Sequence, residues 1–213
     1  MQRRQFMLVS AAAGLPGLSV ASSASSSKKI ATSSCSKPVY LTFDTGHMGI
    51  AHFVAQVLQK YKVPVTFFAA NERTKEGDSS LSDFWASWWK ARAEEGHQFA
   101  SHTFDHLYWL ADIRDKATNQ VTHFKVKPSA GPKAGQSFVV SVAEYQQEIA
   151  RASQRLTQMT GRKPLPLYRA PGGKTSPALI AAAQQGVISI LVGHQPAFWA
   201  MSCPAINTPM NAC

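Results

Sequence analysis

Three short fragments carry residues able to do chemistry: Thr42-Phe43-Asp44-Thr45-Gly46, His102-Thr103-Phe104-Asp105-His106 and Arg169-Ala170-Pro171-Gly172-Gly173. Together they supply a carboxylate, two imidazoles and a guanidinium. Imidazole and carboxylate are the ligands zinc and related divalent metals take. Such an ion polarises a carbonyl and lowers the pKa of water, so the chemistry implied is metal-assisted hydrolysis. His102, His106 and Asp44 are the candidate ligands, and Asp44 doubles as the base that takes a proton from water. Arg169 carries a permanent charge on a planar donor fork and is expected to hold Asp44 in place. Pro171, Gly172 and Gly173 would shape a tight loop whose N–H groups can approach a ligand. His102 and His106 are four residues apart, so a single helical turn would aim both rings to one side. Asp105 between them is placed to hold an imidazole from behind. Each residue also has a plain structural reading: surface histidines, a turn-capping aspartate, a surface salt bridge.

The elements that must position these groups follow from the apolar pattern. Val39 to Phe43 reads as a strand ending at Asp44. Ile50, Phe53, Val54, Val57, Leu58 and Tyr61 recur at helical spacing, and Val63 to Ala69 is β-rich. Strand, helix, strand makes a βαβ unit with a right-handed crossover. Asp83 to Glu95 reads as a second helix with Ser82 as a cap. Gln98 to Thr103 reads as a strand, and Asp105 to Ile113 as a further helical turn. Ala117 to Val140 breaks into Pro, Gly and Lys, which predicts a long loop or small hairpin. Ser141 and Glu144 form a capping box for a helix whose core stripe is Tyr145, Ile149, Ala152, Leu156 and Met159, ended by Gly161. Leu165 to Tyr168 is a short strand, Ser176-Pro177 opens a helix that Gly186 ends, and Val187 to Val192 is a buried strand. About five strands separated by helices or excursions predict an α/β domain with a mainly parallel sheet, open or barrel-like. Ligands bind beyond the carboxyl ends of such strands. Asp44, His102 and Arg169 all fall there.

Composition narrows the partners. The chain has 213 residues, 45% hydrophobic, with a formal charge of +10, enough for one ordinary domain. No Arg/Lys cluster alternates with aromatics, which argues against nucleic acid; the basic balance reads as a solvated surface or a match to an anionic polymer. Gln2-Arg3-Arg4-Gln5-Phe6-Met7-Leu8 followed by apolar and small residues reads as an export signal of the twin-arginine type over residues 1–24. A Ser-rich linker over 25–36 follows. The expected location is therefore periplasmic or extracellular. No later run reaches the length of a membrane span. Cys35, Cys203 and Cys213 lie towards the chain ends; two of them pairing is compatible with export, but nothing in the sequence fixes which.

The three fragments, in this order, resemble the polysaccharide deacetylase family, the group with the NodB homology domain. The resemblance runs from about Val39 to Val192. It implies a distorted (β/α) barrel over residues 37–200, with 201–213 as an irregular tail. It also implies a divalent metal, usually zinc, and removal of N-acetyl or O-acetyl groups from a polysaccharide. Thr42-Phe43-Asp44-Thr45-Gly46 stands where the family has Thr-Phe-Asp-Asp-Gly, so Asp44 is implied to be the base. His102 and His106 are implied as ligands, and Arg169 as the residue orienting the base, with Pro171 lining the groove. Two departures matter. Thr45 replaces the family's metal-binding aspartate, which leaves three options: Asp44 ligates, a water fills the gap, or the metal is weak or absent. His47 stands close by as a further candidate. The second departure is the missing segment with a Leu-x-His general-acid motif; His194 is the candidate in its place, and the barrel is expected to be incomplete. The expected substrate is an acetylated envelope or extracellular polysaccharide; the oligomeric state is open. The alternative is a degenerate or truncated carbohydrate-binding protein of the same fold, with Trp85, Trp88, Trp89, Trp109 and Trp199 as sugar-stacking faces.

Overall fold

The computed structural model describes residues 39–185 and the backbone of residues 189–190. The signal, the Ser-rich linker, the three cysteines, His194 and Trp199 lie outside the described residues.

Short apolar runs ending in polar groups build the central sheet. Its strands are β1 (Thr42–Asp44), β2 (Thr66–Ala69), β3 (Gln98–Ser101), β7 (Leu167–Tyr168) and β8 (Ser189–Ile190), in the order β1-β2-β3-β7-β8. Every pairing is parallel. This is the α/β architecture the sequence predicts. Over the described residues the sheet is open, with β1 at one end and β8 at the other. The strand carboxyl ends therefore lie side by side, and the loops leaving them share one rim.

Four α-helices connect the strands: α1 (Ala51–Tyr61), α2 (Ala86–Glu94), α3 (Val142–Thr160) and α4 (Pro177–Gln185). In α1 the small residues face inward. Ala51, Ala55 and Leu58 are buried, while Phe53 and Tyr61 are 65% and 64% exposed. The expected second helix is split: a 3-10 turn over Asp83–Trp85 precedes α2, and Ser82 makes no side-chain cap. Its tryptophans go to the core. Trp85, Trp88 and Trp89 pack with Phe67 and Phe99, mostly edge to face, rather than facing solvent as a sugar platform. Helix α3 matches its local signals throughout. The capping box forms at Ser141 and Glu144, the stripe from Tyr145 to Met159 is buried, and Gly161 closes the helix at φ 68. Ser176 caps α4 by accepting from the Leu179 N–H at 3.1 Å.

The segment from Leu107 to Arg114 departs from expectation. The predicted helical turn over Asp105–Ile113 is instead β4 (Leu107–Arg114), the first strand of an antiparallel sheet with β5 (Val121–Pro128) and β6 (Phe138–Ser141). Leu-Tyr-Trp-Leu is aromatic-rich and suits a pleated surface, and cross-strand pairing overrides the weak helical spacing. Of the expected long loop or small hairpin over Ala117 to Val140, the hairpin forms, with β5 and β6 paired antiparallel. This sheet packs on α3 and α4 through Leu107, Phe124, Val126, Val140, Tyr145 and Ile149. The C-terminal half of α3 serves the other core, where Leu156 and Met159 meet the tryptophans. One helix therefore ties both sheets together.

Candidate active site

Four neighbouring strands of the parallel sheet each deliver a polar group to the same rim. β1 ends on Asp44, Glu72 follows β2 by three residues, His102 follows β3 directly, and Arg169 follows β7 directly.

Arg169 and Asp44 meet as expected. The Arg169 Nη1 donates to Asp44 Oδ1 at 2.6 Å, and Nη2 donates to Thr42 Oγ1 at 2.8 Å. The guanidinium lies 4.1 Å above the Phe68 ring, which is fully buried beneath it. This stacking fixes the plane of the fork, so one carboxylate oxygen of Asp44 is held and the other is left for the rim. That second oxygen, Oδ2, lies 3.8 Å from His102 Nε2. The Asp44 side chain keeps 40% exposure, so water and substrate can reach it.

His102 and His106 are not on a helix, contrary to the spacing argument. They flank a loop in which Thr103 and His106 take φ of 60 and 51. The loop is strained yet well tied. Thr103 Oγ1 accepts from the Leu107 N–H at 2.8 Å, the Phe104 N–H donates to the Glu148 carbonyl, and the Asp105 N–H donates to Glu148 Oε2. The rings nonetheless meet, with centroids 4.8 Å apart at 63°. His102 Nδ1 lies 2.8 Å from the Arg169 carbonyl, which can only accept. The proton is therefore on Nδ1, and Nε2 offers its lone pair towards Asp44. Burial lowers the His102 pKa, against the opposing pull of Asp44. Burial, reinforced by His102, lowers that of His106 to about 3. Both rings are thus neutral near pH 7, the form a metal requires.

His106 Nδ1 shares a hydrogen bond with Ser129 Oγ at 2.5 Å and lies 3.6 Å from Glu72 Oε1. Tyr108 packs edge-on against His106 at 4.8 Å. The same tyrosine ring touches Gly172, where a Cβ would fall 2.8 Å from it. Gly172 also stands at φ 65, so glycine is required there twice over. Pro171 is buried and Gly173 follows at φ 68, so this tight turn forms the Arg169 side of the rim.

The remaining expected residues are placed differently. The Asp105 carboxylate holds neither imidazole: it lies 3.8 Å from Arg151 and against Gly131, and burial raises its pKa. The groups that hold the rings are the Arg169 carbonyl and Ser129. His47 turns onto its own loop, where Nδ1 accepts from the Gly49 N–H at 3.0 Å. Thr45 uses its hydroxyl on backbone, accepting from the Ala70 N–H at 2.8 Å and donating to the Ala70 carbonyl at 3.2 Å. It clamps β1 to β2 beyond their last ladder bond.

Glu72, Ser129 and Tyr108 were not foreseen. Glu72 had a signal, since it follows the carboxyl end of a strand the sequence does predict. Its pKa is raised to about 7, chiefly by burial and further by the charge of Asp44, against the lowering effect of the Thr45 and Ser129 hydroxyls. Its Oε2 is buried without a hydrogen-bond partner among the described residues. Ser129 and Tyr108 arrive from the antiparallel sheet, which left no such mark.

Among the described residues the acids and imidazoles stand in pairs, His102 with Asp44 and His106 with Glu72, and no three of them are arranged to hold an ion as they stand. Their chemistry still fits one. His102 Nε2, freed because Nδ1 is bonded to the Arg169 carbonyl, presents a lone pair to the rim 3.8 Å from Asp44 Oδ2, and neutral imidazole beside carboxylate is a donor set zinc takes. The unpartnered Glu72 oxygen is a buried acceptor that a cation would satisfy.

Comparison with solved structures finds a family 4 carbohydrate esterase from Streptomyces lividans in complex with acetate. It is 19% identical with a TM-score of 0.49, over 75% of this chain and 64% of that one. Bacillus subtilis PdaA, also a family 4 carbohydrate esterase, is 20% identical with a TM-score of 0.47, over 71% of this chain and 50% of that one. A mutant of BA3943, a family 4 pseudoenzyme with restored enzymatic activity, is 15% identical with a TM-score of 0.47, over 72% and 43%. The chain thus spans less than two thirds of the length of each. No curated protein sequence matches it. The family model for polysaccharide deacetylases matches residues 31–188, most of the 213, and the chain belongs to that family.

Proposed function

We propose that this chain is an exported, metal-dependent hydrolase that removes N-acetyl or O-acetyl groups from an envelope or extracellular polysaccharide. One observation carries the reading: Asp44 is held by Arg169 through one oxygen and presents the other to the rim beside His102 Nε2. A base must be fixed, exposed and close to the groups that position the substrate carbonyl.

In this reading His102 and His106 would hold a divalent cation, zinc by its preference for such donors, with Asp44 beside it. The ion supplies polarisation of the acetyl carbonyl and a lower pKa for water. Asp44 Oδ2 takes the proton of the attacking water. Arg169 keeps Oδ1 occupied, so the carboxylate cannot rotate away. The Arg169 carbonyl holds His102 in the tautomer that frees Nε2. The Pro171–Gly173 turn and Tyr108 would border the bound sugar in this reading. The donor for the leaving amine or alcohol falls to His194, as the sequence suggests.

A second reading is favoured by Thr45, whose hydroxyl is committed to Ala70 and gives a metal no carboxylate. The chain would then bind glycan without turning it over. The two part in one experiment: measure zinc bound to the purified chain, then acetate released from N-acetylglucosamine oligomers and from acetylated xylan, with and without chelator. Zinc at one equivalent with chelator-sensitive acetate release is the expected result. Zinc without acetate favours the binding reading, and neither zinc nor acetate rejects the hydrolase.

A further inference from the structure

We propose that Glu72 supplies the second carboxylate of this metal site, doing from the β2 loop what residue 45 does not do from β1. The proposal rests on the hydrolase reading above and names one of its ligands.

Three observations carry it. The first is place. Glu72 leaves the carboxyl end of β2, the strand between the one that ends on Asp44 and the one that leads to His102. It reaches the same rim from the middle. The second is orientation and want. Oε1 lies 3.6 Å from His106 Nδ1, and Oε2 is buried with no hydrogen-bond partner among the described residues. An unpartnered buried carboxylate oxygen is costly and is retained where something else satisfies it. The Thr45 and Ser129 hydroxyls stand near enough to favour the ionised carboxylate, but Thr45 bonds Ala70, Ser129 bonds His106, and neither closes a hydrogen bond on Oε2. The third is rigidity. The Glu72 carbonyl accepts from the Ser80 N–H at 2.8 Å, Ser80 Oγ donates to the Ala70 carbonyl at 2.5 Å, and Arg73 bridges to Ser79. The loop is pinned on both sides of the acid, so Glu72 is presented rather than free to swing out to water.

The two carboxylates then divide the work. Asp44 is half open and clamped by Arg169, which suits a base that meets water. Glu72 is enclosed beside His106, which suits a ligand that meets only the ion. This arrangement explains how a threonine is accommodated at position 45 without loss of the second acid.

The test is zinc titration of the metal-free full chain by calorimetry, with thermal melts followed by circular dichroism. Wild type should bind one equivalent and melt higher with zinc. Glu72→Gln should fold, melt no lower than wild type without metal, and bind zinc roughly 100-fold or more weakly, since even outer partners of a ligand are worth 10–100-fold. Glu72→Asp keeps the charge with a shorter reach and should fall between. Wild-type zinc binding matched by both variants within threefold overturns the role of Glu72 and leaves the hydrolase reading standing. A wild-type chain that takes up no zinc overturns both.

Discussion

The two histidines of the site are held by different sheets and by different kinds of anchor. His102 leaves the parallel sheet and its Nδ1–H donates to a backbone carbonyl, that of Arg169. His106 enters the antiparallel sheet and its Nδ1 meets a side chain, Ser129 Oγ. A backbone anchor survives any substitution that preserves the strand, whereas a hydroxyl can be removed by one. The acids divide the same way, Asp44 exposed and paired with Arg169, Glu72 enclosed with an unpartnered oxygen. The parallel half aims its strand ends at one rim, and the antiparallel half completes it from outside.

The sharpest way to break this comparison is at the exposed acid. Asp44→Asn should lower acetate release by about 100-fold or more while leaving the circular dichroism spectrum intact, because a positioned base is worth that much. A variant at full rate would remove Asp44 from the chemistry. Ser129→Ala should weaken zinc binding by roughly 10-fold or more, as loss of an outer hydrogen bond does, with little change in melting temperature. If affinity is unchanged, the two anchors are not different in kind.

The join between the sheets offers a third test. The hydroxyls of Tyr145 on α3 and Tyr168 on β7 lie 2.5 Å apart and fully buried. Tyr145→Phe leaves the other hydroxyl without its partner and should cost about 1–3 kcal/mol in urea unfolding. A neutral result would mean the pair is not what couples the halves.

The smallest expected effect is on acid stability. Burial lowers the His97 pKa below its ordinary 6.5, against the opposing pull of Glu95, and its Nδ1 accepts from the Val65 N–H at 3.3 Å. The unfolded chain takes up a proton there that the folded chain refuses. The stability His97 contributes is therefore present above about pH 6.5 and lost as pH falls towards its folded value. His97→Gln should flatten the loss of metal-free stability between pH 7 and 5, as read by chemical denaturation. An unchanged slope would assign the acid sensitivity to other groups.

What could be read from the sequence follows the same division. Helix α3 declares itself locally, since a capping box, a stripe of Tyr145, Ile149, Ala152, Leu156 and Met159 and a closing Gly161 need no distant partner to be seen. Asp44, His102 and Arg169 were legible because each follows an apolar run, and the parallel sheet sets those runs side by side. The residues of β4 read locally as a helical turn, because the pairing with β5 that makes them a strand is a long-range fact. The spacing of His102 and His106 then gave the right convergence for the wrong reason, since a loop with two positive φ values brings the rings together. In α1 the large apolar residues suggest the inward face; Leu58 takes it and Val54 packs against the core, but Ala51 and Ala55 fill the rest while Phe53 and Tyr61 face out. Glu72 escaped because a lone acid after a strand resembles any solvated loop residue until its burial is known.

The central claim is that side chains from separate strands share one cation. Crystals of the chain grown with zinc, with anomalous data collected at the zinc edge, test it most directly. A single strong peak bounded by His102, His106 and Asp44 is the predicted result. A peak elsewhere, or none at this rim in a protein that binds zinc in solution, would contradict it.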